Sequence, residues 1–189
     1  MSMQTWQETI AVMTSVGPTK NTFTTAATII NPQALVSLPP NYLYPGKQLR
    51  ITAIGGLSNI ITAQPTFTFQ VMMGAVIAWT SGAITTNAAA HTLLPFKLVI
   101  DLRCDTVGSG TSAKFLGVGQ ITGRQFLISG TGVDSVTSDT TLMLPVTAPA
   151  VGTGFDASIA NVLDFFAACG TSNAANGITL YEYYVEALN

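Results

Sequence analysis

Three stretches of this chain alternate apolar and polar side chains with a period of two, and no other sequence feature narrows its fold as far. In residues 47–55, Leu49, Ile51 and Ala53 alternate with Gln48, Arg50 and Thr52. In Thr66–Met73, Phe67, Phe69, Val71 and Met73 oppose Thr66, Thr68 and Gln70. In residues 95–104, Phe96, Leu98, Ile100, Leu102 and Cys104 oppose Lys97, Asp101 and Arg103, with Val99 the one exception. Successive side chains of an extended strand point to opposite faces, so each stretch reads as a strand with one face on a core.

Weaker strand patterns fill the gaps at residues 22–30, 75–80, 112–121, 125–128, 140–146, 160–168 and 178–188. The first of these is rich in Thr and β-branched residues, as strands prefer. Turn chemistry separates them: Asn31-Pro32, Pro39-Pro40-Asn41, Tyr44-Pro45-Gly46, Gly55-Gly56, Ser81-Gly82, Gly108-Ser109-Gly110, Gly130-Thr131-Gly132 and Asn176-Gly177. Residues 158–168 offer a short helix after Asp156 as a rival, but strand is the better reading. Short strands at regular spacing predict an all-β chain, a jelly-roll-like antiparallel β-sandwich. Residues 21–189 form that single domain, and residues 1–20 are either an N-terminal arm reaching a neighbouring subunit or an edge strand of the same sheet. Gly117-Val118-Gly119, inside a strand pattern, points to a bulge or a close backbone approach.

Composition narrows the surface. Only 8% of the 189 residues are charged, with net charge −2, against roughly 25% in an ordinary soluble domain. A basic grip on nucleic acid is excluded, because neutralising phosphates takes clustered Lys and Arg. Disorder is excluded by a hydrophobic share of 48%. No apolar run is long enough for a membrane helix, and the first residues lack the basic and apolar regions of a secretory signal. A surface so poor in charge suits a chain covered by other subunits, and we expect an obligate assembly.

Chemical motifs are sparse. His91 is the one histidine, without a metal-ligand pattern or a nucleophile elbow around it, and reads as a loop or strand-end residue. Cys104 and Cys169 permit at most one disulfide; both read as small buried hydrophobes, which suits synthesis in a reducing cytoplasm. A carboxylate pair such as Asp101 with Glu182 could in principle converge across strands, yet solvated or interface roles are the simpler expectation. The Asp134 to Asp139 loop is a weak calcium candidate. Residues 108–114 lack the spacing of a phosphate loop. We expect no enzyme, no cofactor and no metal.

The last strand pattern differs from the others. Tyr181, Tyr183, Val185 and Ala187 occupy one face, and Ile178, Leu180, Glu182, Tyr184, Glu186 and Leu188 the other. With both faces substantially apolar, the strand is expected to be covered twice, once by the core and once by another subunit. The expected subunit interface is Tyr181, Glu182, Tyr183, Tyr184, Val185 and Glu186, with the two glutamates pairing with Lys or Arg.

Several blocks together resemble a family of tailed-phage virion structural proteins. They are the run from Leu144-Pro145-Val146 through Gly154-Phe155-Asp156, the run Val162-Leu163-Asp164-Phe165-Phe166, the closing run Ile178-Thr179-Leu180-Tyr181-Glu182-Tyr183-Tyr184-Val185-Glu186-Ala187-Leu188-Asn189, and Asn41-Tyr42-Leu43-Tyr44-Pro45-Gly46-Lys47-Gln48-Leu49-Arg50-Ile51. The resemblance spans most of residues 25–189 and includes no catalytic motif. It implies a jelly-roll virion component, a homotrimer that decorates or cements a capsid by bridging copies of the major capsid protein. Its place would be the virion surface after synthesis in the bacterial host cytoplasm. The aromatic closing strand is also similar in architecture to trimeric jelly rolls of the tumour-necrosis-factor and C1q type. The alternative is a head-fibre, tail or baseplate module that binds host surface glycans, for which Trp79, Tyr42 and Tyr44 are the candidate stacking residues.

Overall fold

The three period-two stretches become the long central strands of a two-sheet sandwich. A computed structural model describes residues 7–60, 62, 64–126 and 139–188. Its strands are β1 (Gln7–Val12), β2 (Lys20–Asn21), β3 (Ala27–Thr28), β4 (Val36–Leu38), β5 (Gln48–Asn59), β6 (Thr66–Met73), β7 (Val76–Thr80), β8 (Ile84–Thr85), β9 (His91–Thr106), β10 (Lys114–Gly123), β11 (Thr140–Leu144), β12 (Asn161–Cys169) and β13 (Gly177–Leu188). One sheet runs β1-β13-β5-β9-β10-β11, with β2 also on β13; the other runs β3-β12-β6-β7, with β4 on β12 and β8 on β6. Every pairing is antiparallel.

The winding is that of a jelly roll. The first strand pairs with the last, and β3 and β4 pair with the penultimate strand. Next inward, β5 pairs with β13 and β6 with β12, each in a different sheet. Nested pairing of this kind brings distant parts of the sequence together, so both sheets close late and depend on the C-terminal strands.

Residues 7–12 therefore form an edge strand of the chain's own sheet, on β13. Trp6 and the rest of residues 1–6 lie outside the described residues, as do residues 127–138, with Gly130-Thr131-Gly132 and Asp134. The strand expected at 125–128 reduces, where described, to one bridge between Thr86 and Phe126. The strand expected at 22–30 shrinks to Ala27–Thr28, because Thr22 turns to φ 53 and Pro32 opens a short 3-10 turn at the other end. The strand reading of 160–168 holds as β12. Asp156 Oδ1 accepts from both the backbone N and the Oγ of Ser158, closing a local turn before β12.

A chain of rings joins the sheets. Phe69 stacks on Phe165 at 5.9 Å between centroids, Phe165 on Tyr183 at 5.7 Å, and Phe69 meets Phe96 at 5.7 Å. All four are essentially sealed from water, and each contributes about 1.5–3 kcal/mol by burial. Cys104 and Cys169 are also buried, and both are free thiols.

The paired glycines of β10 leave room for two neighbours. A Cβ on Gly117 would sit 2.2 Å from Cδ1 of Trp79, and one on Gly119 would sit 2.7 Å from the Val99 carbonyl oxygen. Only a residue without a side chain fits at either position.

Candidate association face and clefts

The register of β13 decides which of its side chains are available to a partner. Leu180 pairs with Gly55 and Glu182 with Ile54, so Tyr181 is the extra residue of a bulge. A bulge shifts the alternation by one. Before it, Ile178 and Leu180 point into the core; after it, Tyr183, Val185 and Ala187 do. The expectation that Tyr183 and Val185 belong to a subunit interface is corrected accordingly. Tyr183 (1% exposed) and Val185 (0%) are buried in the chain's own core and present no surface to another subunit. One strand read in a single phase looked apolar on both sides because its core face changes sides midway.

Tyr181, Glu182, Tyr184 and Glu186 lie on the outer face of the seven-stranded sheet. Tyr181 lies across Gly56, where a Cβ would sit 2.6 Å from the phenol oxygen. The opposing residues form two rows. One runs Val12, Tyr184, Thr52, Val99, Gln120 and Met143; the other runs Thr9, Glu186, Arg50, Asp101 and Val118. Met143 (64%), Val12 (52%) and Val118 (39%) are exposed along these rows.

Arg50 and Asp101 pair with each other on this face. Arg50 Nε donates to Asp101 Oδ1 at 2.7 Å and Nη2 donates to Oδ2 at 3.2 Å. That hydrogen bond, together with Asp101 and Glu186 nearby, raises the guanidinium pKa further. Gln7 Nε2 also donates to Glu186 Oε1. Glu186 lies opposite Arg50 within one chain, and its side-chain hydrogen bond comes from the neutral Gln7 amide. Asp101 is taken by Arg50, whereas Glu182 lies beside Ile54 and belongs to a different rung, so the two carboxylates are not brought together as an acid–base pair. At the far edge Asp139 accepts from Arg124 Nε at 3.2 Å.

Two further regions carry aromatic or polar groups. Residues 146–152 arch over the edge strand β7, pinned at one foot by Val146 N donating to Ser81 O (2.9 Å) and at the other by Gly152 N donating to Phe115 O (2.8 Å). Beneath lies a cleft of about 360 Å³, bordered by Ile77, Trp79 and Thr80. Trp79 is only 5% exposed, so it is a packed residue and offers no open ring for stacking. Tyr42 is partly buried and Tyr44 is 48% exposed. The Lys47 ammonium lies 4.4 Å from the Tyr42 ring and 5.2 Å from the Tyr44 ring, a cation–π contact to both.

His91 opens β9 and pairs across the sheet with Asn59. Burial lowers its pKa. It lines a second cleft of about 340 Å³ with Asn59, Ser58 and Thr92. Sequence reasoning passed over this pair, since the signal is a cross-strand register and no motif. Among the described residues, no group of three His, Cys, Asp or Glu side chains is placed to hold a metal ion, and no helix is long and apolar enough to cross a membrane.

No protein-family model matches the chain, and no curated protein matches it. Among solved structures it is similar to the CBM2 module of the evolved Dit of Lactobacillus casei BL23 phage J-1, with 11% sequence identity and a TM-score of 0.39. The alignment covers 99% of this chain and 98% of that one. At that score the likeness carries no argument, and the sandwich is read from its own strand pairing.

Proposed function

We propose that this chain is a non-enzymatic structural protein of a tailed-phage virion, a homotrimer that cements the head by bridging neighbouring copies of the major capsid protein. The observation that supports it is the outer face of the seven-stranded sheet. Arg50 and Asp101 pair with each other there, and Val12, Val118 and Met143 stand exposed beside them. Covering a face whose central charges are already paired costs less desolvation than covering one whose charges all stand alone. The virion-like blocks at residues 41–51, 144–156, 162–166 and 178–189 supply the phage assignment. Closed threefold symmetry would satisfy every copy of such a face at once, and each seam bridged would add binding free energy to the assembled shell.

The test is the mass of the purified protein in solution, followed by sedimentation with undecorated heads. A trimer that pellets with heads is expected. A monomer, or a trimer left in the supernatant, would overturn the cement reading.

The exposed Tyr44 favours a second reading, a fibre, tail or baseplate module that stacks on host surface glycans. Binding on a glycan array that Tyr44→Ala abolishes would replace the first reading with this one.

A further inference from the structure

We infer that the cleft formed by β2, the end of β5 and the start of β9 is a binding site for a small neutral polyol, such as a sugar ring. The site needs neither a trimer nor a phage head, and neither the outer face nor Tyr44 contributes to its lining.

Two acceptors of the lining residues Asn59 and His91 are left without donors, the first of them sealed from solvent. Asn59 Nδ2 donates to the carbonyls of Asn87 (3.2 Å) and Ala89 (2.7 Å), which fixes the amide orientation. Its Oδ1 is buried and has no partner among the described residues. The second acceptor follows from Asn87. Its Nδ2 donates to Arg124 O at 2.8 Å, and its Oδ1 accepts from Ala89 N at 3.1 Å. The atom 2.8 Å from His91 Nε2 is therefore an acceptor, so Nε2 carries the ring proton. Nδ1 keeps its lone pair, with no partner among the described residues.

Asn59 and His91 are direct cross-strand partners, so these acceptors share one face of the sheet. Asn59 Oδ1 is sealed from solvent and out of a ligand's reach, whereas the imidazole lone pair of His91 is left to accept from a ligand that brings an O–H group. Thr19, Asn21, Ser58 and Thr92 complete the polar lining, and among the described residues no Asp, Glu, Lys or Arg borders the cleft. An anion or a cation entering would lose its hydration with no opposite charge to meet it; a neutral polyol would not. The volume of about 340 Å³ is that of a small-molecule site.

The backbone is also held in an uncommon shape there. Leu93, which lines the cleft, has φ 49, and its N–H donates to Ser58 Oγ at 2.9 Å. A non-glycine residue in the left-handed region is strained, and such strain gathers at ligand sites.

The chain has one histidine, so a protein labelled with nitrogen-15 in histidine gives one pair of ring signals. Methyl α-glucopyranoside, methyl β-galactopyranoside, N-acetylglucosamine and myo-inositol would each be titrated into the full chain to millimolar concentration. With at least one of them, Nδ1 should move saturably in the direction of an accepted hydrogen bond while Nε2 stays. By calorimetry, His91→Phe should weaken that ligand about tenfold or more. The wild-type signal keeps the test decisive if the variant does not fold. An Nδ1 signal unmoved by all four, or moved only by methylammonium or zinc, would overturn the assignment.

Discussion

Tyr183 stacks on Phe165 with 5.7 Å between ring centroids and 23° between ring planes, joining the last strand of one sheet to the penultimate strand of the other. The contact explains why an aromatic-rich closing strand does not imply an aromatic-rich surface. It also sets the phenol hydroxyl in the core, buried and without a hydrogen-bond partner among the described residues.

Replacing Tyr183 with Phe keeps the ring and removes the unsatisfied hydroxyl. The expected result is a gain in stability of about 1 kcal/mol, read as a higher urea midpoint at constant slope. Tyr183→Asp, by contrast, would bury a carboxylate in the core and should unfold the chain instead of dissolving an assembly. A folded Tyr183→Asp monomer would contradict the placement of this residue.

Stability should fall in alkali. Burial pushes the Tyr183 phenol far above its ordinary 10.0, with Asp164 adding to the shift. Burial likewise raises the thiols of Cys104 and Cys169 above 9.0. Each group ionises more easily once unfolded, so the folded state holds protons that the unfolded state has released. Their contribution is intact below the unfolded values and is lost as pH rises through the folded ones. Urea midpoints should therefore start to drop near pH 9 from the thiols and more steeply above pH 10. The fall from one protonation difference approaches about 1.4 kcal/mol per pH unit. Tyr183→Phe should flatten the part above pH 10; an unchanged slope there would exclude Tyr183 as its source.

Gly117→Ala should destabilise by about 1–3 kcal/mol, because the added methyl would meet both Trp79 Cδ1 at 2.2 Å and Leu102 Cδ2 at 2.6 Å. Thermal melting together with the tryptophan emission maximum would report it. A variant with unchanged melting temperature and emission would show that the indole does not pack on this glycine.

The outer face should separate association from stability. Met143→Asp, at a position 64% exposed, should shift the urea midpoint by less than about 0.5 kcal/mol. It should also lower the mass in solution if this face joins subunits. Arg50→Ala breaks a pair whose side chains are 42% and 48% exposed. After screening by solvent, that pair is worth at most about 1 kcal/mol. A large loss of stability from either change would mean the face carries folding energy of its own.

Alternation was a dependable guide wherever a strand kept one phase. β6 matches its expected bounds, and β5 and β9 run only a few residues beyond theirs. It failed on β13, where the bulge at Tyr181 changes phase. The glycines opposite, Gly55 and Gly56, were visible in the sequence as a turn signal, but they lie inside β5 and make room for the bulge and the Tyr181 ring. Thr22 could not be read either, since a left-handed threonine has no sequence signature. The His91 cleft depends on the register between β5 and β9 and on Asn87 fixing the imidazole tautomer. Those are consequences of long-range pairing, which local pattern does not encode.

The arch of residues 146–152 has one further consequence. Each foot is fastened separately, one to Ser81 and the other to Phe115, and Thr147, Ala148, Pro149 and Ala150 between them are exposed. Added sequence closes a longer loop at a cost that grows only with the logarithm of its length. A peptide spliced between Ala148 and Pro149 would therefore ride as cargo on the edge of the sandwich, making the chain a display platform.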